Sequence, residues 1–336
     1  MKRYKMNALL ARLSQSKFAR VAMAAAAVAM ALAGVQEALR QQTHSRLAEA
    51  ATFASVGTHK LRLRCTGEGH TTYLLEAGAT GFAETWHWVQ QALDDDARVC
   101  SYDRAGLGLS EAAPQGFEVG RTARDLRAAL KAAGENGPFV VVGHSLGGFF
   151  AREFAAQYPT VTAAIVLVDA SHERQLDAFS EEMVSEFRAF PGVLSALSAV
   201  STTGLLRAWN PLASGAEGLE GDALEAAHVF AGDRVHLATS AEELSHWDAI
   251  TARAANQRLR EDLPVLAVTA GAPVPGSADF SSLVEPLHQD IAQRFIYGRQ
   301  ITLDEANHFS ILMDRAHARR LSALIQNYLN EVENPS

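Results

Sequence analysis

The sequence predicts an α/β protein built on a mostly parallel sheet, and three observations carry that prediction. From about residue 52 onward, short apolar runs alternate with helix-length stretches and glycine-rich turns. No internal repeat or low-complexity linker interrupts the alternation. Composition agrees: 48% hydrophobic and 20% charged residues, with 10 prolines in 336 positions, describe a chain that builds a large core. Two cysteines are too few for a disulfide scaffold or a four-cysteine zinc site. The boundaries read as a leader or anchor over 1–35, a spacer over 36–54, an α/β core over 55–171 and 263–332, and a helical insertion over 172–262.

The N-terminal element comes first. Lys2, Arg3, Lys5, Arg12, Lys17 and Arg20 all precede the first acid, Glu37, and they are followed by Val21 to Val35, fifteen residues without a charge. As a helix this run rises about 22 Å, short of the roughly 30 Å hydrocarbon core, so it fits a signal-peptide apolar region as well as an anchor. Ala29-Met30-Ala31 and Ala31-Leu32-Ala33 offer small-x-small cleavage sites, whereas Phe18 and Ala19 would lengthen an anchor. An amphipathic surface helix would show polar residues at helical spacing, and this run shows none. Cleaved or retained, the segment predicts an exported body, periplasmic or extracellular or anchored to the outer face of the cytoplasmic membrane, with association through residues 18–39. The net charge is -8, and setting the six basic residues aside leaves -14. A body that acidic repels phosphate backbones, so no nucleic-acid partner is expected.

The strands follow in order: Thr52–Val56, Lys60–Cys65, Thr72–Glu76, Arg98–Tyr102, Phe139–Val142, Ala164–Val168, Val265–Thr269 and Gln300–Leu303. The first two lie too close for a crossover helix and should form an antiparallel hairpin around Gly57-Thr58. The later ones are separated by helices and should lie parallel. Between Asp169 and Val265 no strand is evident, and apolar residues recur at helical spacing (Met183, Phe187, Phe190, Leu194; Leu219, Leu224, Ala227, Phe230). This reads as a helical insertion over one end of the sheet, whose Trp209 and Trp247 either line a cavity or pack a small helical core.

The buried-strand pattern Phe139-Val-Val-Val142 runs directly into Gly143-His144-Ser145-Leu146-Gly147-Gly148, and a helical segment from Phe149 to Tyr158 follows. Strand, tight turn and helix are the context that gives G-x-S-x-G its meaning: the serine is held clear of the fold on a strained turn. Ser145 is the expected nucleophile. With this elbow, the run Tyr102-Asp-Arg-Ala-Gly-Leu-Gly-Leu-Ser110 after the fourth strand and a late Asn307-His308-Phe309, the chain resembles the α/β-hydrolases over roughly residues 55 to 330. The resemblance implies an eight-stranded sheet in the order 1-2-4-3-5-6-7-8 with a helical cap between strands six and seven. It also implies a Ser-His-Asp triad and no cofactor. No metal site is expected, since the histidines show no H-E-x-x-H or other close ligand spacing.

Within that resemblance His308 is the base, delivered after the last strand to the same sheet edge as Ser145. His144 points the opposite way off the elbow and reads as structural. The acid usually follows strand seven, but here that strand runs into Thr269-Ala-Gly-Ala-Pro-Val-Pro-Gly276 without a carboxylate until Asp279. Asp169, at the end of strand six, is the expected acid and Asp279 the alternative; capping of the insertion's first helix would be Asp169's structural role. The oxyanion donors would be the backbone N–H groups of Leu146 and of Ala79 in the loop Glu76-Ala77-Gly78-Ala79-Thr80-Gly81, where the family often has His-Gly in place of Ala77-Gly78. Trp86 and Trp88 either line an acyl pocket or pack as helix residues.

In the family's strand order the second and fourth strands are antiparallel neighbours, where Cys65 and Cys100 would either meet as a disulfide in an exported body or stay as two buried reduced thiols. The expected activity is a carboxylesterase or lipase-like serine hydrolase acting on a small-molecule acyl substrate. A serine at the elbow argues against the family's epoxide hydrolases and haloalkane dehalogenases, which use aspartate there. The same residues would serve acyl transfer or C–C bond hydrolysis, and a non-catalytic membrane-tethered binding module is the competing class.

Overall fold

A computed structural model of the protein describes residues 2–49, 51–208, 210–216, 218–274 and 280–334. Its strands are β1 (Thr52–Ser55), β2 (Lys60–Thr66), β3 (Thr72–Glu76), β4 (Arg98–Tyr102), β5 (Phe139–His144), β6 (Thr162–Val168), β7 (Val265–Ala270) and β8 (Arg299–Leu303). They form one sheet in the order β1-β2-β4-β3-β5-β6-β7-β8. β1 and β2 form the hairpin around Gly57-Thr58, β2 meets β4 antiparallel, and every other pairing is parallel. β5 outruns its apolar run because ladder pairing continues through Gly143 and His144, which face Leu167 and Val168 of β6.

The helices are α1 (Lys2–Ala48), α2 (His87–Leu93), α3 (Val119–Ala132), α4 (Gly147–Gln157), α5 (Glu181–Ser201), α6 (Leu205–Ala208), α7 (Gly221–Phe230), α8 (Arg234–Ser245), α9 (Trp247–Ala255), α10 (Ser281–Ala292), α11 (Ser310–Met313) and α12 (Arg315–Glu333). The period-2 alternation of the strands sorts the core. Leu75, Val140, Val142, Val166 and Val268 share one apolar cluster with Leu321 and Ile325 of α12, whereas Leu74, Val141, Ile165 and Ala267 share the other with Leu126 of α3 and Phe154 of α4. Helix α12 is oriented by Asp314, whose side chain caps its first turn by accepting from the Ala316 and His317 N–H groups.

Helices α5 to α9 lie between β6 and β7. Trp247 is buried there against Phe149 and Phe187, so it packs the insertion onto the elbow helix. Trp209 lies outside the described residues. Helix α1 is continuous, and Arg20–Ala48 within it is long and apolar enough to cross a membrane, an 18-residue stretch of it having a mean hydropathy of 1.6. Val21, Met23, Val28, Met30, Leu32 and Val35 are all exposed. Residues 36–48, read from the sequence as a polar spacer, continue this helix. Arg40 and His44 reach Asp233 at the start of α8, at 3.4 and 3.0 Å.

Cys65 and Cys100 oppose each other directly across the β2–β4 pair and are joined by a 2.04 Å S–S bond. The bond links residues 35 apart, and closing a loop of that size removes about 3–4 kcal/mol of denatured-state freedom in the chain-entropy model. Replacing both cysteines by alanine is expected to lower unfolding stability by about that amount in urea titration, and reductant should cost the wild type the same.

Candidate active site

The elbow follows from steric limits at two glycines. A Cβ on Gly143 would fall 2.5 Å from the Gly147 carbonyl oxygen, and one on Gly147 would collide with the carbonyls of Glu76 and Ala77. Only glycine lets β3, β5 and α4 approach this closely. Between them Ser145 takes φ 52°, in the left-handed region that a side chain rarely adopts. Its N–H donates to Val168 O at 3.1 Å, which sets the elbow beside the end of β6.

The next residue along that edge is Asp169, also at a positive φ of 42°. Both of its carboxylate oxygens are used: Oδ1 accepts from the Ala270 N–H at 3.0 Å, and Oδ2 accepts from Nδ1 of His308 at 2.6 Å. It caps no helix; the first turn of α5 is capped by Ser180. Burial opposes charge on Asp169, but the His308 hydrogen bond, the nearby His308 and His288 rings and the Ala270 N–H outweigh it and hold the carboxyl below its usual range. With Nδ1–H committed to Asp169, neutral His308 carries its free lone pair on Nε2. Asp279 lies outside the described residues.

His144 is buried under the same loop and donates from Nε2 to the His308 carbonyl at 2.9 Å, its ring centroid 4.6 Å from that of His308. Burial first, and then the neighbouring His308, push His144 down to about 3, so it is neutral and works as a brace. The structure therefore brings Ser145, Asp169 and His308 to one edge. Among the described residues the Ser145 hydroxyl makes no hydrogen bond. Phe280 and Phe309 flank the His308 ring, and Phe179 packs on Phe280.

The loop after β3 lies against the elbow: a Cβ on Gly78 would sit 3.0 Å from the Ser145 Cβ. Among the described residues neither the Ala79 nor the Leu146 N–H donates to a protein acceptor. Trp86 is fully buried edge-on to His144, and Trp88 donates to Gly218 O at 2.8 Å beneath the Arg315 guanidinium, so both pack the fold.

Three residues around this site carry no local signal in the sequence. Arg104 belongs to the run after β4 that supported the resemblance, but nothing in the run says what it binds. His236 and Glu243 lie in the long helical insertion. Arg104 and His236 are buried against the loop after β3, and Glu243 is buried against Arg104. His288 is a fourth, donating from Nε2 to Ala170 O at 2.8 Å beside Asp169.

The segment after Asp169 is secured by Glu173, which accepts from Arg152 at 2.8 Å and Arg294 at 2.7 Å. Burial would raise this carboxyl, but the two arginines prevail and draw it down to about 2. A depressed folded-state pKa adds stability above the unfolded value of about 4.3, and the gain is lost as pH falls through the folded value. The stability gap between wild type and Glu173→Gln should therefore be full at pH 6 and close between about pH 4.3 and 2, as read by urea unfolding at stepped pH.

The chain belongs to the alpha/beta hydrolase fold family, whose model matches residues 73–312. This places it in a superfamily of hydrolases. An uncharacterized vacuolar membrane protein of Saccharomyces cerevisiae (strain YJM789) is 40% identical over 99 residues, 29% of this chain and 15% of that protein. An AB hydrolase superfamily protein of Gibberella zeae is 32% identical over 133 residues, 39% of this chain and 41% of its own length. The chain thus spans less than half the length of either relative. Among solved structures, the thermophilic esterase from Thermogutta terrifontis superposes with TM-score 0.59 at 18% identity, covering 84% of this chain and 98% of that one. The Cif epoxide hydrolase from Acinetobacter nosocomialis gives 0.66 at 18% identity, covering 87% and 96%. At such identities these two share the fold.

Proposed function

We propose that this chain is a serine hydrolase that cleaves carboxylic esters through an acyl-enzyme, held at a membrane or exported by its N-terminal helix. The observation that carries the reading is the 2.6 Å contact between His308 Nδ1 and Asp169 Oδ2, beside a serine at φ 52°. That contact leaves Nε2 as the proton acceptor on the side away from Asp169. In the proposed reaction Ser145 Oγ attacks the ester carbonyl as its proton passes to His308 Nε2. The resulting oxyanion is met by the N–H groups of Ala79 and Leu146. Collapse breaks the bond to the alkoxy group, which takes the proton from His308 and leaves as the alcohol. Water then attacks the acyl-Ser145 ester, giving a proton to His308, and the acid departs as Ser145 recovers that proton. Asp169 stays ionised throughout and stabilises the imidazolium.

An elbow serine favours this chemistry over that of the epoxide hydrolase neighbours. A hydroxyl nucleophile turned over by a base suits acyl carbon. The exposed apolar stretch of α1 and the Cys65–Cys100 bond support a body outside the cytoplasm, at a membrane surface. The test is a fluorophosphonate probe on the folded chain, followed by p-nitrophenyl esters of graded acyl length. A single adduct on Ser145 with ester turnover is the expected result. An unlabelled Ser145 in folded protein would favour a binding module instead.

A further inference from the structure

We propose that helix α8 is part of the catalytic apparatus: His236 and Glu243, acting through Thr80 and Arg104, hold the peptide that presents the Ala79 N–H as an oxyanion donor. The proposal rests on the ester-hydrolase reading above. His236 and Glu243 are seven residues apart, two turns of helix, and so project from one face of α8. His236 accepts from the Gly108 N–H on Nδ1 at 3.0 Å, which commits the proton to Nε2, and Nε2–H donates to the Thr80 carbonyl at 2.9 Å. Glu243 takes Arg104 in a two-pronged pair, Nε to Oε1 at 2.8 Å and Nη2 to Oε2 at 2.9 Å. The remaining Arg104 hydrogens go to the same loop: Nη1 to Ala77 O at 2.5 Å and Nη2 to Gly78 O at 2.8 Å, with Nη1 also 3.0 Å from Glu76 Oε1.

The consequence follows from peptide geometry. In a trans peptide the C=O and N–H point in opposite directions. Fixing the Gly78 carbonyl on Arg104 therefore turns the Ala79 N–H away from the guanidinium. The Leu146 N–H is oriented in the same manner from another source, because its partner carbonyl, that of Ser145, accepts from Gly148 N and Ser171 N, both at 3.0 Å. The elbow thus orients its own donor. The loop after β3 has one internal bond of this kind, Gly81 N–H to Gly78 O at 3.2 Å, which closes a turn through Thr80 at φ 56°; His236 holds that turn from outside by fixing the Thr80 carbonyl, and Arg104 supplies the shorter bond to the Gly78 carbonyl. Released from the clamp, the Gly78–Ala79 peptide keeps only that 3.2 Å bond against turning its carbonyl oxygen toward the developing negative charge. Arg104, Glu243 and His236 are 3%, 2% and 2% exposed, so these bonds face no competition from water.

His236→Phe keeps the ring volume beside Phe82 and Phe230 but removes the donor, His236→Gln restores an N–H donor, and Glu243→Gln is isosteric. Three readouts are taken on the folded full-length chain: ester kinetics, affinity for a trifluoromethyl ketone that adds to Ser145 as an ionised hemiketal, and hydrogen–deuterium exchange of residues 76–82. For His236→Phe and Glu243→Gln we expect kcat to fall about 10- to 100-fold with KM nearly unchanged, and ketone affinity to fall in proportion. Exchange over 76–82 should quicken, and His236→Gln should recover most of each loss. A purely structural role would lower the melting temperature without this kcat and ketone correlation. Labelled, active wild type together with folded variants that keep wild-type kcat, ketone affinity and exchange overturns the clamp alone. A wild type whose Ser145 takes no fluorophosphonate overturns the hydrolase reading and the clamp with it.

Discussion

Ser145→Ala should remove ester turnover almost entirely, by about 10⁶-fold in kcat, and abolish the fluorophosphonate adduct while leaving the fold intact. The size of the effect follows from what the residue does in the proposed reaction: without Oγ there is no acyl-enzyme, and His308 is left with no proton to accept. The fold should tolerate the change because alanine keeps the Cβ and the elbow is held by backbone bonds, Ser145 N–H to Val168 O and Gly148 N–H to Ser145 O. Single-turnover kinetics, intact mass after probe treatment and a melting curve check the three parts separately. Turnover that persists in the variant would place the chemistry elsewhere.

Asp169→Asn should lower kcat by about 10⁴-fold. The carboxylate has two acceptors and serves two fixed donors, the Ala270 N–H on Oδ1 and His308 Nδ1–H on Oδ2. Asparagine has one oxygen. The Ala270 backbone donor cannot rearrange, so it claims that oxygen and the amide NH₂ faces His308. The imidazole must then accept on Nδ1 and carry its proton on Nε2, where it blocks transfer from Ser145. KM for a p-nitrophenyl ester should move little, since no substrate contact is lost. If kcat is instead preserved in Asp169→Asn and lost in Asp279→Asn, the acid is Asp279.

Most of the framework was legible from residue pattern. The apolar runs mark all eight strands because period-2 alternation and β-branched content are local properties. Gly143-x-Ser145-x-Gly147 reads as an elbow because backbone sterics, set by a few adjacent residues, demand glycine there. Asp169 stood out by its position at a strand end. His236, Glu243 and Arg104 did not stand out. Arg104 and Glu243 are 139 residues apart, and Thr80 and His236 are 156 apart, so no local pattern links them.

What the sequence determined on its own is therefore the order of strands and helices, the bend that carries Ser145, and the apolar N-terminal helix, all dictated by side-chain periodicity and backbone sterics over short spans. Tertiary structure alone decided that His308 Nδ1 meets Asp169 across 139 residues and that α8 lies against the loop after β3. Such pairings depend on how the sheet closes and where the long insertion packs. Buried charges and donors find partners only after that packing brings distant segments together.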